Sequence, residues 1–231
     1  MRRQKRTTPA AVCALAFLLV FLGGCRRRPP QLVPPPEIGS VEGYASLRFS
    51  GEGGTAKSRL SFQIRLPDRG RIEVFDILGR TVLYFVMEGT EALLVVPSEA
   101  AYCVVGSDEI LSRFLGFALD VGEWTALLSG VWPEVSASGE NLRGWSLERD
   151  VRNRVRSGRR GGVFFEVAEF FGGSPSPRRI DFASERGVGR LTVLSLRYNS
   201  APAEAAFLRT PPPSFEARTW EDIERLLRRE D

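Results

Sequence analysis

Few side chains in this sequence could do chemistry. There is no histidine among the 231 residues, which removes the commonest general base and the commonest metal ligand. The acidic residues lack the spacing of a metal site, and no glycine-rich phosphate loop stands between a strand and a helix. Three cysteines remain, Cys13, Cys25 and Cys103. The sequence therefore predicts a protein that is not an enzyme and holds no metal or cofactor.

The surroundings of the cysteines separate their roles. Cys103 stands between Tyr102 and Val104 in a strand-like run, where a thiol is usually an inert part of the core. Cys13 lies in the apolar stretch Ala10 to Leu22, which follows a cluster of basic residues. That stretch is shorter than the roughly 20 residues that span a bilayer. It is typical of a secretory signal, which must be set aside before the fold is considered.

The residues Leu22-Gly23-Gly24-Cys25 resemble a bacterial lipobox. The resemblance implies that residues 1–24 are a lipoprotein signal peptide, cleaved before Cys25, and that Cys25 carries a thioether-linked diacylglyceryl group. Several acyl chains, at roughly 0.8 kcal/mol per buried methylene, make a lasting membrane anchor. Arg26 follows in place of the aspartate that retains proteobacterial lipoproteins in the inner membrane. This favours the periplasmic face of the outer membrane, with inner-membrane retention left as an alternative.

Residues 25–37 form a Pro/Arg-rich tether. Its five prolines favour polyproline II, at about 3.1 Å per residue. Twelve such residues hold a domain roughly 35 Å from the bilayer. Arg26, Arg27 and Arg28 would lie at the lipid surface, where each gains about 1 kcal/mol if the lipid is anionic.

Residues 38–231 are predicted to be one domain of mostly antiparallel β structure with helices, an α+β fold. Leu60 to Leu66 alternates apolar and polar residues, the period of a strand with one wet face. Glu91 to Val96 reads as a further strand, ended by Pro97. Thr219 is placed to cap a C-terminal amphipathic helix.

Two helices are predicted in the middle of the domain. Ser107 is placed to cap the first, and Gly116 to stop it. Asp120 and Glu123 make a capping-box pair for the second, which Gly130 ends. Their apolar stripes favour packing against a sheet, and a helical lid over an open sheet would use the same residues.

The domain is organised around the segment Arg71 to Val86. Two strand-like runs flank Asp76 and Gly79, both of which favour turns. Between them stand Ile77 and Leu78, which are unfavourable in a solvated turn. Two interpretations remain open: one long bulged strand with these residues buried, or a hairpin with an apolar tip for a membrane or an acyl chain.

The basic residues are almost all arginine, and the net charge is +4. This mild charge fits an anionic lipid or an acidic partner and does not predict nucleic-acid binding. Arg152, Arg154 and Arg156 belong to the densest cluster. Such a run is usually a solvated edge that discourages strand pairing, and the alternative is a contact surface for an anionic partner.

Several segments resemble the outer-membrane lipoprotein receptor family LolB, within the wider LolA/LolB-like superfamily of lipoprotein carriers. The resemblance rests on Arg71 to Leu83, on the succession from Tyr102 to Gly130, and on Pro177 to Val193. It implies a curved, unclosed antiparallel β-barrel, or half-barrel, with helices plugging or lidding an apolar cavity that receives acyl chains. By motif match, Leu78, with Ile77 beside it, would be the loop that passes cargo into the membrane.

The cavity and its lid would be lined by seven apolar residues: Phe62, Ile64, Leu83, Phe85, Phe114, Trp124 and Phe165. Val163 to Phe171 carries phenylalanines on both faces, so it is either covered on both sides or lines such a cavity. The predicted function is an outer-membrane lipoprotein that binds acyl chains, or another lipid, and acts in lipoprotein localisation, with a periplasmic carrier protein as partner. The alternative is a structural or envelope-assembly lipoprotein of the same fold that acts through protein contacts.

Overall fold

The alternating run around Leu60 to Leu66 lies within one of three twelve-residue strands near the middle of a large sheet. A computed structural model describes residues 32–51, 54–132 and 144–227. The predictions for residues 1–31, which include the signal peptide, the Cys25 anchor and the first part of the tether, lie outside the described residues. The strands are β1 (Ser40–Gly51), β2 (Gly54–Arg65), β3 (Arg69–Phe75), β4 (Thr81–Glu88), β5 (Glu91–Val96), β6 (Ala101–Gly106), β7 (Ser146–Arg149), β8 (Val155–Arg160), β9 (Val163–Phe170), β10 (Pro177–Ser184), β11 (Gly187–Tyr198) and β12 (Glu216–Ala217).

The strands form one curved sheet in the order β12-β6-β5-β4-β3-β2-β1-β11-β10-β9-β8-β7. Every neighbouring pair is antiparallel except β12 and β6, which are parallel. In the described part of the chain β12 and β7 are the edges and do not pair with each other, so the barrel stays unclosed. The predicted fold class is confirmed.

Three helices accompany the sheet: α1 (Ser107–Leu115), α2 (Val121–Ser129) and α3 (Trp220–Leu227). α1 packs on β5 and β6, α2 on β10, and α3 on β6. Their apolar side chains join those of the inner face of the sheet in one continuous core. Burial of this apolar surface is the main force that holds the helices against the sheet.

The helix boundaries follow local chemistry. Gly116 and Gly130 end α1 and α2 in left-handed conformations, with φ of 84° and 73°. The Asp120–Glu123 capping box is present as predicted. The prediction that Ser107 caps α1 was wrong: the N-cap is Gly106, and the Ser107 hydroxyl donates to the Gly89 carbonyl instead.

The chain after β11 forms a strap across the outer face of β3 and β4. Its short 3-10 helix, Glu204–Phe207, contacts both strands. Arg65 and Arg69 form ion pairs with Glu204, and the Arg65 guanidinium lies over the Phe207 ring. The strap then supplies β12, so it covers part of the outer face and one edge of the sheet.

Antiparallel pairing gives the sheet two distinct ends. The tether end is where residue 40 begins β1; there the turns β2–β3, β4–β5, β7–β8 and β9–β10 also lie. The opposite end, named the tip end, carries the turns β1–β2, β3–β4, β5–β6, β8–β9 and β10–β11. At about 3.3 Å per residue, the twelve residues of β1 separate the two ends by roughly 36 Å.

Candidate functional site

The hairpin between β3 and β4 is built by one aspartate. The Asp76 Oδ1 atom accepts the backbone N–H groups of Leu78 at 2.8 Å and Arg80 at 2.9 Å. The Arg80 Nε atom donates to Asp76 Oδ2 at 2.7 Å. Gly79 adopts a φ of 81°, which closes the turn at little steric cost. These bonds fix the turn without help from the two residues at its apex.

The apex residues Ile77 and Leu78 are exposed by 96% and 73%. Of the two interpretations left open by the sequence, the structure therefore has the hairpin and not the buried, bulged strand. Each apolar side chain keeps its surface in water, at a cost of roughly 25 cal/mol per Å² relative to burial. Such exposure of two adjacent large residues on a preformed turn is typical of a contact surface.

Ionisation of Asp76 supports the turn. The Arg80 backbone N–H, followed by the Arg80 guanidinium, holds the pKa of the Asp76 carboxyl below its ordinary value of 3.8. The carboxylate thus stays charged at neutral pH and keeps accepting the three hydrogen bonds.

A groove of about 780 Å³ lies beside this hairpin. It is lined by Asp76, Arg80, Thr81, Val82, Pro97, Ser98 and Leu227. The hairpin base, the β5–β6 turn and the end of α3 therefore meet around one opening at the tip end.

The seven predicted cavity residues lie together in the interior. Five of them are buried and Leu83 and Phe114 are half-buried, and all seven belong to the core or pack against it. Aromatic rings fill the space: Phe85 and Phe114 meet edge to face with centroids 5.7 Å apart. The inner face of the sheet is thus occupied by helix side chains in this state.

A second aromatic cluster in the core was not predicted. The Trp132 ring stacks on the Phe165 ring with centroids 5.7 Å apart, and Trp145 meets Phe165 edge to face at 5.4 Å. Only Phe165 had been assigned to the interior. The sequence did contain a signal for this cluster: Trp132 follows the Gly130 helix end by two residues, and Trp145 directly precedes β7.

The end of α2 nearest β8 is fastened by a buried ion pair. The Glu123 side chain is nearly inaccessible, and Arg160 of β8 donates to it. Glu123 also accepts the Trp145 Nε1–H at 3.1 Å and the Asp120 backbone N–H at 3.0 Å. The Arg160 guanidinium lies over the Trp145 ring, 4.6 Å from its centroid. These groups, named the α2 clasp, join the helix to the last hairpin of the sheet.

The three arginines of the predicted contact surface have different surroundings in the structure. Arg154 pairs with Asp150 at 2.6 Å and lies over the Phe170 ring, 4.0 Å from its centroid. Arg156 lies 3.7 Å from Glu166. Arg152 is exposed on the β7–β8 turn. Two of the three arginines therefore already have partners within the molecule.

The remaining features concern Cys103, the acidic residues and the helices of the described residues. Cys103 is buried, and burial raises the pKa of its thiol to about 11, so it is a poor nucleophile. Within residues 32–51, 54–132 and 144–227, no His, Cys, Asp or Glu cluster is placed to hold a metal ion. In the same ranges, none of the helices is long and apolar enough to cross a bilayer.

These features define a half-barrel with a helix-filled apolar interior and an exposed apolar hairpin. No protein family and no curated protein sequence matches the chain. Among solved structures, a DUF1329 family protein from Desulfovibrio piger is similar at 11% identity, with a TM-score of 0.53 over 87% of this chain and 98% of that one.

Two further solved structures are similar at lower TM-scores. A LolA superfamily protein from Nitrosomonas europaea is 14% identical, with a TM-score of 0.48 over 74% of this chain and 90% of that one. An outer membrane lipoprotein-sorting protein domain from Vibrio parahaemolyticus is 10% identical, with a TM-score of 0.45 over the same shares. At these identities the likeness concerns the fold, and it does not single out the LolB receptor family.

Proposed function

We propose that this protein is an outer-membrane lipoprotein, anchored through Cys25, that binds acyl chains within its half-barrel and takes part in lipoprotein localisation. The observation that carries the proposal is the exposed pair Ile77 and Leu78 on a preformed hairpin. A carrier that transfers an acyl chain to a membrane needs such an apolar contact at its opening. No catalytic group is required.

The interior supports the proposal because it is apolar and covered by separate helices. An acyl chain would take the place of the α1 and α2 side chains that now line the inner face. Since the sheet edges are not paired with each other, the helices can move outward without breaking the strand ladder. The cost of opening is the loss of their apolar contacts, which a bound acyl chain restores.

Transfer in this scheme needs no ATP. A carrier that binds the chain more weakly when opened against a membrane releases it down the free-energy gradient. The groove beside the hairpin lies at the same end as Ile77 and Leu78. We therefore assign the exit for the acyl chain to the tip end.

The decisive variant is Leu78→Glu. Because Leu78 is largely exposed, a carboxylate there stays in water, and we expect the free energy of unfolding to change by less than about 0.5 kcal/mol. Delivery of a fluorescent lipopeptide to vesicles should be lost, because an ionised group resists entry into hydrocarbon.

Leu208→Glu is the matched control, since Leu208 on the strap is 62% exposed. It should leave both stability and delivery unchanged. Thermal melts and vesicle transfer are measured for both variants. Full delivery by a folded Leu78→Glu protein would refute the role of the tip.

A structural or assembly lipoprotein is the second candidate. The observation that favours it is the aromatic packing of the interior, where rings such as Phe85 and Phe114 already contact each other. Titration with a fluorescent fatty acid or lipopeptide separates the two. Saturable binding by the folded protein supports the carrier, and its absence supports the assembly role.

A further inference from the structure

The turn between β7 and β8 repeats the construction of the Ile77–Leu78 hairpin. In Asp150-Val151-Arg152-Asn153-Arg154, the Asp150 Oδ1 atom accepts the backbone N–H groups of Arg152 at 2.9 Å and Arg154 at 3.1 Å. The Arg154 Nε atom donates to Asp150 Oδ2 at 2.8 Å. Asn153, with φ of 59°, takes the left-handed position that glycine occupies in the first turn.

Side chains at the apex of this second turn differ in charge from those of the first. Val151 is fully exposed, as Ile77 is. Arg152 follows in place of Leu78, and its exposed guanidinium makes no hydrogen bond or ion pair within the described residues. The Asp150 charge is matched by Arg154, and Arg149 donates to the Asn153 carbonyl at 3.0 Å. The apex of the β7–β8 turn thus presents one apolar side chain beside positive charge that no carboxylate in the described part of the chain pairs with.

Nearby carboxylates do not cancel this charge. Glu148 accepts a hydrogen bond from the Ser157 hydroxyl at 2.7 Å. Glu169 is paired with both Arg178 and Arg179. The segment from Glu148 to Arg154 carries three arginines against two carboxylates, so the turn keeps a net charge of +1.

The second turn lies at the tether end of the sheet, where the chain from the anchor joins the domain. Four strand spacings of about 4.8 Å, or roughly 19 Å, separate β8 from β1 along the sheet. Two side-chain contacts lie along this end: Arg154 lies over Phe170, and the Ser176 hydroxyl bonds to the Tyr198 hydroxyl at 2.7 Å.

The chain from the tether is fixed beside these contacts. Asn199 accepts the backbone N–H groups of Gly39 and Ser40, and it donates to the Glu37 carbonyl. The chain from the proposed anchor therefore enters β1 at the tether end, and we expect this end to lie nearer the membrane than the tip end.

We propose that the β7–β8 turn is a membrane contact, in which Val151 enters the interfacial layer of the anchoring bilayer and Arg152 binds anionic lipid headgroups. The inference rests on the proposed lipid anchor at Cys25. Apolar insertion next to a cation is the combination that binds peripheral segments to anionic membranes.

This contact gives the domain a resting orientation. With the tether end on the bilayer, the tip end and its hairpin stand roughly 36 Å away, facing incoming cargo. Delivery through the tip end then requires release of the β7–β8 contact.

The test uses the full lipidated protein reconstituted in vesicles of phosphatidylcholine and phosphatidylglycerol that carry a doxyl-lipid quencher. An environment-sensitive fluorophore is placed on Val151→Cys. Val188→Cys is the matched control, since Val188 is another exposed valine, at 57%, near the tip end. Cys103 is buried and should not react.

We expect several-fold stronger quenching at position 151 than at position 188. Equal or weaker quenching at 151, in protein that floats with the vesicles, overturns the contact and leaves the turn available to an acidic protein surface. Failure to float, as expected for Cys25→Ala, marks instead a failure of the proposed anchor. A label at position 77 reports separately on the delivery hairpin.

The charge is tested by Arg152→Gln in the Val151→Cys background. One arginine at an anionic surface should account for about a fivefold change in the ratio of docked to free domain. The same loss is expected when phosphatidylglycerol is replaced by phosphatidylcholine. If quenching is unchanged both by Arg152→Gln and by the replacement of phosphatidylglycerol, the assignment to anionic lipid is overturned.

Discussion

Asp76 and Asp150 stabilise their turns with the same pattern of hydrogen bonds. Each accepts two backbone N–H groups through one oxygen and an arginine through the other. A short side chain is required because it must reach its own backbone, and only an aspartate accepts at both positions with a charge. The apex residues are therefore free to vary, and one turn carries Leu78 where the other carries Arg152.

This construction predicts a pH dependence. The Arg154 side-chain hydrogen bond lowers the pKa of Asp150 to about 2 in the folded protein, below its ordinary value of 3.8. A depressed folded-state pKa means that the stabilisation is complete above the unfolded value. It is lost as pH falls from about 4 toward 2.

Carboxyl ¹³C NMR titration measures this directly. Arg154→Met should return the Asp150 midpoint toward 3.8, because the guanidinium is the largest cause of the shift. An unchanged midpoint in that variant would contradict the assigned cause.

Among the elements, α2 is fixed at both ends by different chemistry. Gly130 ends it in a left-handed conformation, and a Cβ at that position would lie 2.1 Å from the Pro175 carbonyl oxygen. Gly161 also has a positive φ, of 56°, but a Cβ there would meet nothing within 4 Å. Comparing alanine substitutions at Gly130 and Gly161 therefore separates the cost of backbone strain from the cost of close packing.

Gly161→Ala should cost about 1 kcal/mol, the strain of a left-handed alanine. Gly130→Ala should cost clearly more, because the β9–β10 loop must also move away from α2. Chemical unfolding of the two variants measures the difference. Equal losses in the free energy of unfolding would mean that the β9–β10 loop moves away from α2 at no measurable cost.

Under the proposed function, the α2 clasp holds in place a helix that must move for an acyl chain to enter. Arg160→Met leaves the buried Glu123 carboxylate without its cation, and we expect a loss of roughly 1–3 kcal/mol. Hydrogen exchange of the α2 amides should speed up more than exchange in β1 and β2.

Arg178→Met is the control, since its partner Glu169 is solvent-accessible and exposed pairs contribute little. Under the proposed function, acyl-chain uptake should accelerate with Arg160→Met and not with Arg178→Met. Uniformly faster exchange across the sheet would instead indicate global destabilisation.

Some elements could be predicted from the sequence because their signals are local. The alternation in β2, the Asp120–Glu123 box and the glycine stops of α1 and α2 act within a few residues. β8 could not be predicted from its arginine-rich sequence. Its arginines are accommodated by groups outside the strand: Arg159 lies over Phe164 of the neighbouring β9, and Arg160 reaches the distant Glu123 and Trp145.

For the whole molecule, the curved sheet with its helices followed from the resemblance, but the state of the interior did not. Phe62, Phe85 and Trp124 are apolar whether they line a space or fill it. Which of these holds depends on how the helix side chains meet the sheet, and that is a property of packing. The exposure of Ile77 and Leu78 was open for the same reason, since either strand or hairpin suits the same residues.

The central place of β1 has a mechanical consequence. Under the proposed anchor at Cys25, a pull on the tether would reach the start of this strand, which pairs over eleven or more residues with β2 on one side and β11 on the other. Interstrand hydrogen bonds lie across the strand axis, so a pull along β1 loads many of them in shear at once. A pull on the edge strand β7 would break its bonds one after another. Through β1, a domain held by the proposed lipid anchor would resist such a force with its longest ladders.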